Sequence, residues 1–259
     1  MTDNTRHAER SFWDFTGREI PAFSGAPSTR YYFECEKRLF EEYLPDLHRK
    51  RILKTDLWDE AKNSRILRWV AEQGAEVYGI DISVEILQEA LSAFQHHPRF
   101  IVSDVRSIGF PSNYFDYLYS MGTVEHSPQY FTALEECFRV LKKGGRGIIG
   151  VPNKLDPFLR PVFVALLSKV GLYAYGYELS FSMREFSGML EQIGFRVIGK
   201  TGILFMPGLI RMADLYLYCH MRWATALTAP LIAPFAFLYR RFPRLRRHGY
   251  LIACVVEKP

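Results

Sequence analysis

The chain has 259 residues, 48% hydrophobic and 24% charged, which excludes a disordered or fibrous protein and allows one large domain or two small ones. A chain of this length buries a core without disulfide or metal support. The four cysteines are scattered, with no CxxC pair and no Cys/His cluster, which speaks against a metal site and a secreted disulfide scaffold. The polar N-terminus carries mixed charge and predicts no signal peptide, so a cytoplasmic location is expected.

Positive charge is concentrated in the C-terminal part. Residues 1–150 contain 19 Lys/Arg and 22 Asp/Glu, a net −3, whereas residues 151–259 contain 14 and 6, a net +8. This asymmetry predicts an anionic partner, either nucleic acid or an acidic membrane surface. Five arginines form one run, and Phe242 alone among aromatic residues is interleaved with them, which disfavours nucleic acid. The run comprises Arg240, Arg241, Arg244, Arg246 and Arg247.

In chain order, the first predicted helix is YYFECEKRLFEEYL, with Ser28 or Thr29 as its N-cap. From residue 51 onward, β-branched runs alternate with helical patterns. The predicted strands are RILKT, EVYGID, RFIVSD, FDYLYS and RGIIGVP, starting at residues 51, 76, 99, 115 and 146. This alternation predicts an α/β fold, with a parallel sheet covered by helices on both faces. Ligands bind such sheets beyond the carboxyl ends of the strands.

The C-terminal third is predicted to contain an insertion. The helix SMREFSGMLEQIG leads to a strand at RVIGKTG, and LIACVVEK forms the last strand. The segment between these strands is far longer than a hairpin requires, which predicts a helical insertion over residues 203–248. We therefore divide the chain into an N-terminal cap-helix region (1–50), a core (51–202 with 249–259) and this insertion.

Two acidic residues close neighbouring predicted strands. Asp81, at the end of the second strand, can accept hydrogen bonds from both hydroxyls of a ribose. Asp104, at the end of the third, can accept one from an adenine amino group, with Ile82 and Val105 on either side of the ring. Alternatively, each carboxylate merely caps the helix or turn that follows it.

The segment 104–153 carries a series of further motifs, which include Phe110-Pro111, Tyr114-Phe115-Asp116, Val124-Glu125-His126, Arg139-Val140-Leu141, Gly144-Gly145 and Pro152-Asn153. With these motifs the chain resembles the class I S-adenosylmethionine-dependent methyltransferases, in particular the type 11 group, and Asp81 in YGIDIS fits that family's second motif. The resemblance implies a Rossmann-like seven-stranded sheet with an antiparallel last strand, and S-adenosylmethionine as the cofactor.

The chain departs from the family at the first motif, a glycine-rich turn after the first strand. By register, Asp56, Trp58 and Glu60 stand where glycines are usual. Glycine there permits a close approach of the backbone to the ligand, which larger residues do not. We interpret Asp56, Asp59 or Glu60 as partners of the cofactor's α-ammonium. Alternatively, Asp59 and Glu60 only favour the start of the following helix.

His126 follows the fourth strand, at the face where the activated methyl group is expected. A histidine there can remove the proton of an acceptor group at neutral pH, so we interpret His126 as the general base. Alternatively, it hydrogen-bonds the backbone of its own loop. The predicted reaction is methyl transfer to a small acceptor, most simply at oxygen.

The insertion contains a long uncharged run, Ala224 to Tyr239, directly before the arginines. Crossing a bilayer takes about 20 apolar residues, and Pro230 and Pro234 interrupt this run. It therefore predicts an amphipathic element lying on the inner face of the membrane, or else the core of a cap. An apolar cap in turn predicts a lipid-like acceptor. A different class stays open: a non-catalytic, membrane-associated scaffold whose altered first motif no longer binds the cofactor.

Overall fold

The computed structural model describes residues 3–94 and 98–259, so residues 1–2 of the predicted 1–50 region and residues 95–97 of the predicted core lie outside the described part. In the described residues, seven strands form one sheet in the order β3-β2-β1-β4-β5-β7-β6. The strands are β1 (Arg51–Lys54), β2 (Glu76–Asp81), β3 (Arg99–Val102), β4 (Phe115–Met121), β5 (Leu141–Pro152), β6 (Arg196–Ile203) and β7 (Leu251–Glu257). β7 runs antiparallel between β5 and β6, and the pairs among β1 to β5 are parallel. The predicted fold class is confirmed.

Helices cover both faces of the sheet. They are α1 (Asp3–Glu19), α2 (Pro27–Tyr43), α3 (Trp58–Lys62), α4 (Ile66–Glu72), α5 (Val84–Ser92), α6 (Tyr130–Val140), α7 (Arg160–Lys169), α8 (Met183–Ile193), α9 (Gly208–His220) and α10 (Thr225–Arg241). Neighbouring strand residues face opposite cores: Ile52 packs with α2, α4 and α5, whereas Leu53 packs with α6 and α8. Because both faces are buried, the strands read as continuous apolar runs.

The N-terminal region differs from the sequence-based expectation. The helix α2 begins one residue before Ser28, with Pro27 in its first turn and Ala26 as an N-cap without a side-chain hydrogen bond. Proline favours the first helical position because it needs no hydrogen bond from its own nitrogen. The helix α1 was not predicted. It packs on α5 so closely that a Cβ on Gly17 would lie 2.9 Å from Ile86 Cγ1.

Between β6 and β7 the chain forms the helical insertion, α9 and α10, which packs against α2. One face of α10 is buried through Thr228, Ile232 and Tyr239. In the described part of the chain, no helix is long and apolar enough to cross a bilayer. The five parallel strands β1 to β5 end at one edge of the sheet, beneath α1 and next to this insertion.

Candidate active site

A cavity of about 220 Å³ opens at the carboxyl edge of the parallel strands. Its walls come from α1, the β1–α3 loop, the ends of β2, β3 and β4, and the start of α7 and α9. The structure brings seven of the candidate site residues to this cavity: Asp56, Asp59, Asp81, Ile82, Asp104, Val105 and His126. Such an edge, at the point where strand order reverses between β1 and β4, is where open α/β sheets bind ligands.

Asp81 is the last residue of β2, and its carboxylate accepts hydrogen bonds from two loops. Its Oδ2 accepts a hydrogen bond from the Leu57 amide at 2.9 Å, and its Oδ1 accepts one from the Ser83 amide at 2.8 Å. Burial raises the pKa of Asp81 to about 7. Each carboxylate oxygen has a second lone pair, so Asp81 can still accept from ligand hydroxyls.

Asp104 is held by a neighbouring arginine. Arg106 Nε lies 2.8 Å from Oδ1 of Asp104, and an Nη of the same guanidinium lies 2.7 Å from Oδ2. Arg106 is 8% exposed, and it also donates to Glu9 of α1 and to Ser127. Asp104 thus lines the cavity and, through Arg106, anchors the N-terminal helix over it.

The β1–α3 loop contains a buried ammonium where side chains replace the family's glycines. Lys54 Nζ lies 3.4 Å from Asp56 Oδ1, 3.3 Å from Asp59 Oδ2 and 3.8 Å from Glu60 Oε1. Burial by itself would lower the pKa of Lys54, but the three carboxylates hold it above its ordinary value. Lys54 therefore stays charged and balances the acidic loop.

Glu60 is the one predicted site residue that does not line the cavity. Its side chain is fully buried beneath the loop, where Oε1 accepts a hydrogen bond from the Leu67 amide at 3.2 Å. Burial raises the pKa of Glu60 to about 7. Three carboxylates are predicted partners of the cofactor's α-ammonium, at what we call the methionine end of the cavity. Asp56 and Asp59 line the cavity, whereas Glu60 hydrogen-bonds to α4 instead.

Trp58 does not fill the space that the glycine turn would leave. Its half-buried ring packs edge-to-face on Trp13 of α1, at a centroid distance of 6.4 Å, and on Tyr175 at 5.5 Å. These three rings form one wall of the cavity. The cavity therefore stays open with the indole as part of its lining.

His126 lies in a short 3-10 helix after β4, Val124–His126. Its Nδ1 is 2.8 Å from the carbonyl oxygen of Tyr177. A carbonyl can only accept a hydrogen bond, so Nδ1 carries the proton and Nε2 has a free lone pair. Burial lowers the pKa of His126, which favours this neutral form. The ring also packs edge-to-face on Trp13, at 5.0 Å.

The far end of the cavity contains residues that the sequence analysis did not single out. Arg160 forms a bidentate ion pair with Glu178, in which Nη1 lies 2.7 Å from Oε1 and Nη2 lies 2.8 Å from Oε2. Its guanidinium also lies 4.2 Å from the centre of the Tyr250 ring. Next to them, Glu125 is buried, and its Oε2 has no hydrogen-bond partner among the described residues. Burial, with Glu178 nearby, raises the pKa of Glu125 well above its usual range.

Arg106 and the helix α1 were also missed in the sequence analysis, although each has a signal in the sequence. Arg106 stands two positions after Asp104, and that spacing signals a local ion pair. The signal for α1 is the apolar cluster around Trp13 in a polar segment. Arg160 and Arg211 reach the cavity only through the fold, and nothing in their sequence context marks them.

Comparisons with known proteins agree with this architecture. Residues 61–149 match the family described as Methyltransferase domain. The demethylmenaquinone methyltransferase of Anoxybacillus flavithermus is 29% identical over 160 residues, which cover 55% of this chain. The match spans 66% of that relative's length, slightly under two thirds.

Solved structures share the fold at low identity. An S-adenosylmethionine-dependent methyltransferase from Mesorhizobium loti superimposes with a TM-score of 0.59 at 15% identity, covering 86% of this chain and 98% of that one. The cyclase SpnF gives a TM-score of 0.59 at 16% identity, covering 96% and 92%.

The chain has the fold of the class I, S-adenosylmethionine-dependent methyltransferases, and residues 61–149 match a methyltransferase domain, as the sequence predicts. Within that class, residues 61–149 are similar to the Methyltransferase domain family, which corresponds to the type 11 group that the motifs resemble. The cofactor of the class is S-adenosylmethionine.

The side chains that line the cavity suit this cofactor in charge and polarity. Carboxylates stand at the tips of β2 and β3, with the apolar Ile82 and Val105 beside them. S-adenosylmethionine carries a sulfonium, an ammonium and one carboxylate, so its net charge is positive. Carboxyl groups outnumber arginines seven to three among the lining side chains, which matches that charge. Asp81, Ile82, Asp104 and Val105 line the cavity together, as a site for adenosine would require, and Asp56 and Asp59 line it at the loop after β1.

Proposed function

We propose that this protein transfers a methyl group from S-adenosylmethionine to an oxygen atom of a small hydrophobic acceptor. The observation that carries the proposal is the hydrogen bond from His126 Nδ1 to the Tyr177 carbonyl. This bond leaves Nε2 as a proton acceptor at the cavity that also contains Asp81 and Asp104.

The cofactor, when bound, supplies an electrophilic methyl group on a positively charged sulfur. His126 would take the proton of an acceptor hydroxyl at Nε2, while the Tyr177 carbonyl stabilises the imidazolium through Nδ1–H. The aromatic wall formed by Trp13, Trp58 and Tyr175 excludes water and orients an acceptor with a flat or apolar body.

The acceptor class rests on the lining of the cavity. Beyond the methionine end, the side chains are mostly aromatic, and they include Trp58, Tyr32, Tyr173, Tyr175 and Tyr250. Phenols and hydroquinones match such walls, because they stack on aromatic rings and present an ionisable hydroxyl. The relative from Anoxybacillus flavithermus is named for a menaquinone precursor, which is consistent with an acceptor of this kind.

Methylation at a ring carbon is a second candidate, and the name of that same relative favours it. Both reactions need a base that removes a ring hydroxyl proton, so the same histidine serves either. The products differ in the bond formed, carbon–oxygen or carbon–carbon, and the structure of the product decides between them.

The test is a methyl-transfer assay with S-adenosylmethionine and a panel of phenols and hydroquinones bearing short alkyl chains. Release of S-adenosylhomocysteine reports turnover, and NMR of the product locates the methyl group. Replacing His126 with Gln should lower kcat by about 10²- to 10⁴-fold, while S-adenosylhomocysteine still binds. Because burial lowers the pKa of His126, activity should fall only at pH values below the ordinary histidine range.

The outcomes separate the hypotheses. An O-methyl product and a strong His126→Gln effect support the proposal, whereas a C-methyl product selects the second candidate. A protein that gives no calorimetric heat with S-adenosylhomocysteine would instead be a non-catalytic binding protein, the alternative that the altered first loop raises.

A further inference from the structure

The outer face of the insertion is apolar and exposed. Along α10, Leu227, Leu231 and Phe237 are more than half exposed, although the opposite face of the same helix is buried. No charged residue occurs between Thr225 and Tyr239, so this exposed face contains no charge. A contiguous exposed apolar surface on a folded protein marks an interaction site.

The neighbouring elements extend this face. Trp223, in the turn before α10, is 76% exposed, and Met212 and Tyr216 of α9 are about half exposed. Phe158, two residues before α7, packs on Phe235 of α10 at 5.7 Å, so α7 starts next to this helix. Two large apolar residues of α7, Val162 and Leu166, are exposed at helical spacing.

Arginines border the apolar face at one end. Arg240, Arg241, Arg244 and Arg247 are exposed. In the part of the chain that the structure describes, neither Arg240 nor Arg244 forms an ion pair. Arg246 is different: it is buried, pairs with Glu42 at 2.7 Å and lies 5.0 Å from the Tyr239 ring centre. The predicted run of five arginines is therefore four surface charges and one internal anchor.

We propose that α9, Trp223, α10 and the four exposed arginines form a docking face for an anionic membrane surface. The uncharged face of α10 would enter the boundary between headgroups and acyl chains, while the arginines contact lipid phosphates. The chemistry fits a bilayer better than a folded protein partner, because the face combines an insertable apolar stripe with four exposed arginines that form no ion pair among the described residues. The inference does not depend on the identity of the methyl acceptor.

The proposal gives the insertion a role at the cavity. Arg211 of α9 lines the cavity, and the next residue, Met212, is exposed on the docking face. Two adjacent residues of α9 thus connect the proposed docking face with the lining of the cavity. A lipid-like acceptor would reach the cavity from the membrane without crossing water.

Vesicle sedimentation of the full chain tests the proposal. We expect the protein to bind vesicles of phosphatidylglycerol and phosphatidylcholine and to bind phosphatidylcholine alone much less. The triple variant Arg240→Gln/Arg241→Gln/Arg244→Gln should bind the anionic vesicles at least about tenfold more weakly. A control, Arg68→Gln/Lys143→Gln/Arg196→Gln, removes the same charge from other elements and should bind as the unaltered protein does.

The apolar stripe has its own test. The variant Leu227→Asp/Leu231→Asp should also lose vesicle binding, whereas Phe131→Asp, at an exposed apolar residue of α6, should retain it. Brominated acyl chains should quench tryptophan fluorescence on binding, and Trp223→Phe should abolish that quenching. Circular dichroism checks that each variant is folded.

Three outcomes would overturn the proposal. Equal binding to neutral and anionic vesicles excludes the arginine contribution, and quenching that persists in Trp223→Phe excludes this face. A dimer in sedimentation velocity that Leu227→Asp/Leu231→Asp dissociates, without any vesicle binding, would assign the face to a second copy of the chain.

Discussion

The two ends of the cavity hold their carboxyl groups in different ways. We call the end at the tips of β2 and β3 the adenosine end and the end at the β1–α3 loop the methionine end. At the adenosine end, Asp81 and Asp104 stand at strand tips, where the family pattern places them, and their carboxylates are held by backbone amides or by Arg106. At the methionine end, the backbone turn of the family is replaced by side chains around a buried ammonium, Lys54.

The difference shows which part of a ligand site tolerates substitution. A glycine turn allows close approach because it lacks side chains. Here Trp58 is part of an aromatic wall of the cavity, and Asp56 and Asp59 present carboxyl groups at the same loop. We therefore expect the methionine end to bind its ligand through charge rather than through backbone contact, with Lys54 balancing the acidic loop. The predictions below test each end separately.

Replacing Lys54 with Met should have the largest effect on stability. Its ammonium is fully buried among three carboxyl groups, and removing it leaves their charge uncompensated. We expect the free energy of unfolding to fall by about 3–5 kcal/mol, measured by urea denaturation.

The matched control is Lys142→Met, which removes a partly exposed ion pair with Asp116. That change should cost less than about 1 kcal/mol. Equal losses in the two variants would show that the carboxyl groups around Lys54 are neutral, and the charge-based description of the methionine end would be wrong.

At the adenosine end, Asp81→Ala should weaken S-adenosylhomocysteine binding by about 100-fold or more, since two hydrogen bonds to a charged acceptor are lost. Isothermal titration calorimetry measures the effect. Asp116→Ala is the control, because Asp116 also accepts a backbone hydrogen bond, from Arg51 at 2.9 Å, but does not line the cavity. Unchanged affinity in Asp81→Ala would show that Asp81 does not bind the ribose.

Cofactor binding should depend on pH through the same residue. Burial raises the pKa of Asp81 to about 7, so below that pH the free protein holds a proton there. Affinity for S-adenosylhomocysteine should then fall by up to about tenfold per pH unit, because a protonated carboxyl accepts fewer hydrogen bonds. Calorimetry in buffers of different ionisation enthalpy detects the displaced proton, and Asp81→Asn should abolish the dependence.

The contribution of Asp81 to folding stability should change with pH in the opposite direction to that of an ordinary surface carboxylate. Because the folded state binds this proton more tightly than the unfolded state, the contribution of Asp81 to stability decreases as the pH rises from the usual aspartate range to about 7. If the contribution of Asp81 to stability instead increased over that pH range, the result would contradict the burial of its carboxyl group.

How far the sequence predicts this site depends on where its residues come from. Asp81, Asp104 and His126 follow strands whose apolar runs are easily recognised, so the sheet itself brings them together. The tertiary contacts of Glu9 and Trp13 cannot be read from local patterns, because α1 meets the cavity only after the chain has folded back over α5. The pairing of Lys54 with Asp59 follows from a loop conformation that no spacing rule specifies.

The smallest expected effect separates two roles of Asp104. It and Glu9 both hold the buried Arg106, but only Asp104 is placed to accept a hydrogen bond from adenine. Glu9→Gln should weaken the anchoring of α1 and change S-adenosylhomocysteine affinity less than about threefold, since the pair is partly exposed. Asp104→Asn keeps one oxygen, which Arg106 and adenine cannot both use fully, so affinity should fall by about five- to tenfold. Equal effects in the two variants would mean that Asp104 acts only through Arg106, and the adenosine end would then bind its base without the carboxylate contact that the family pattern predicts.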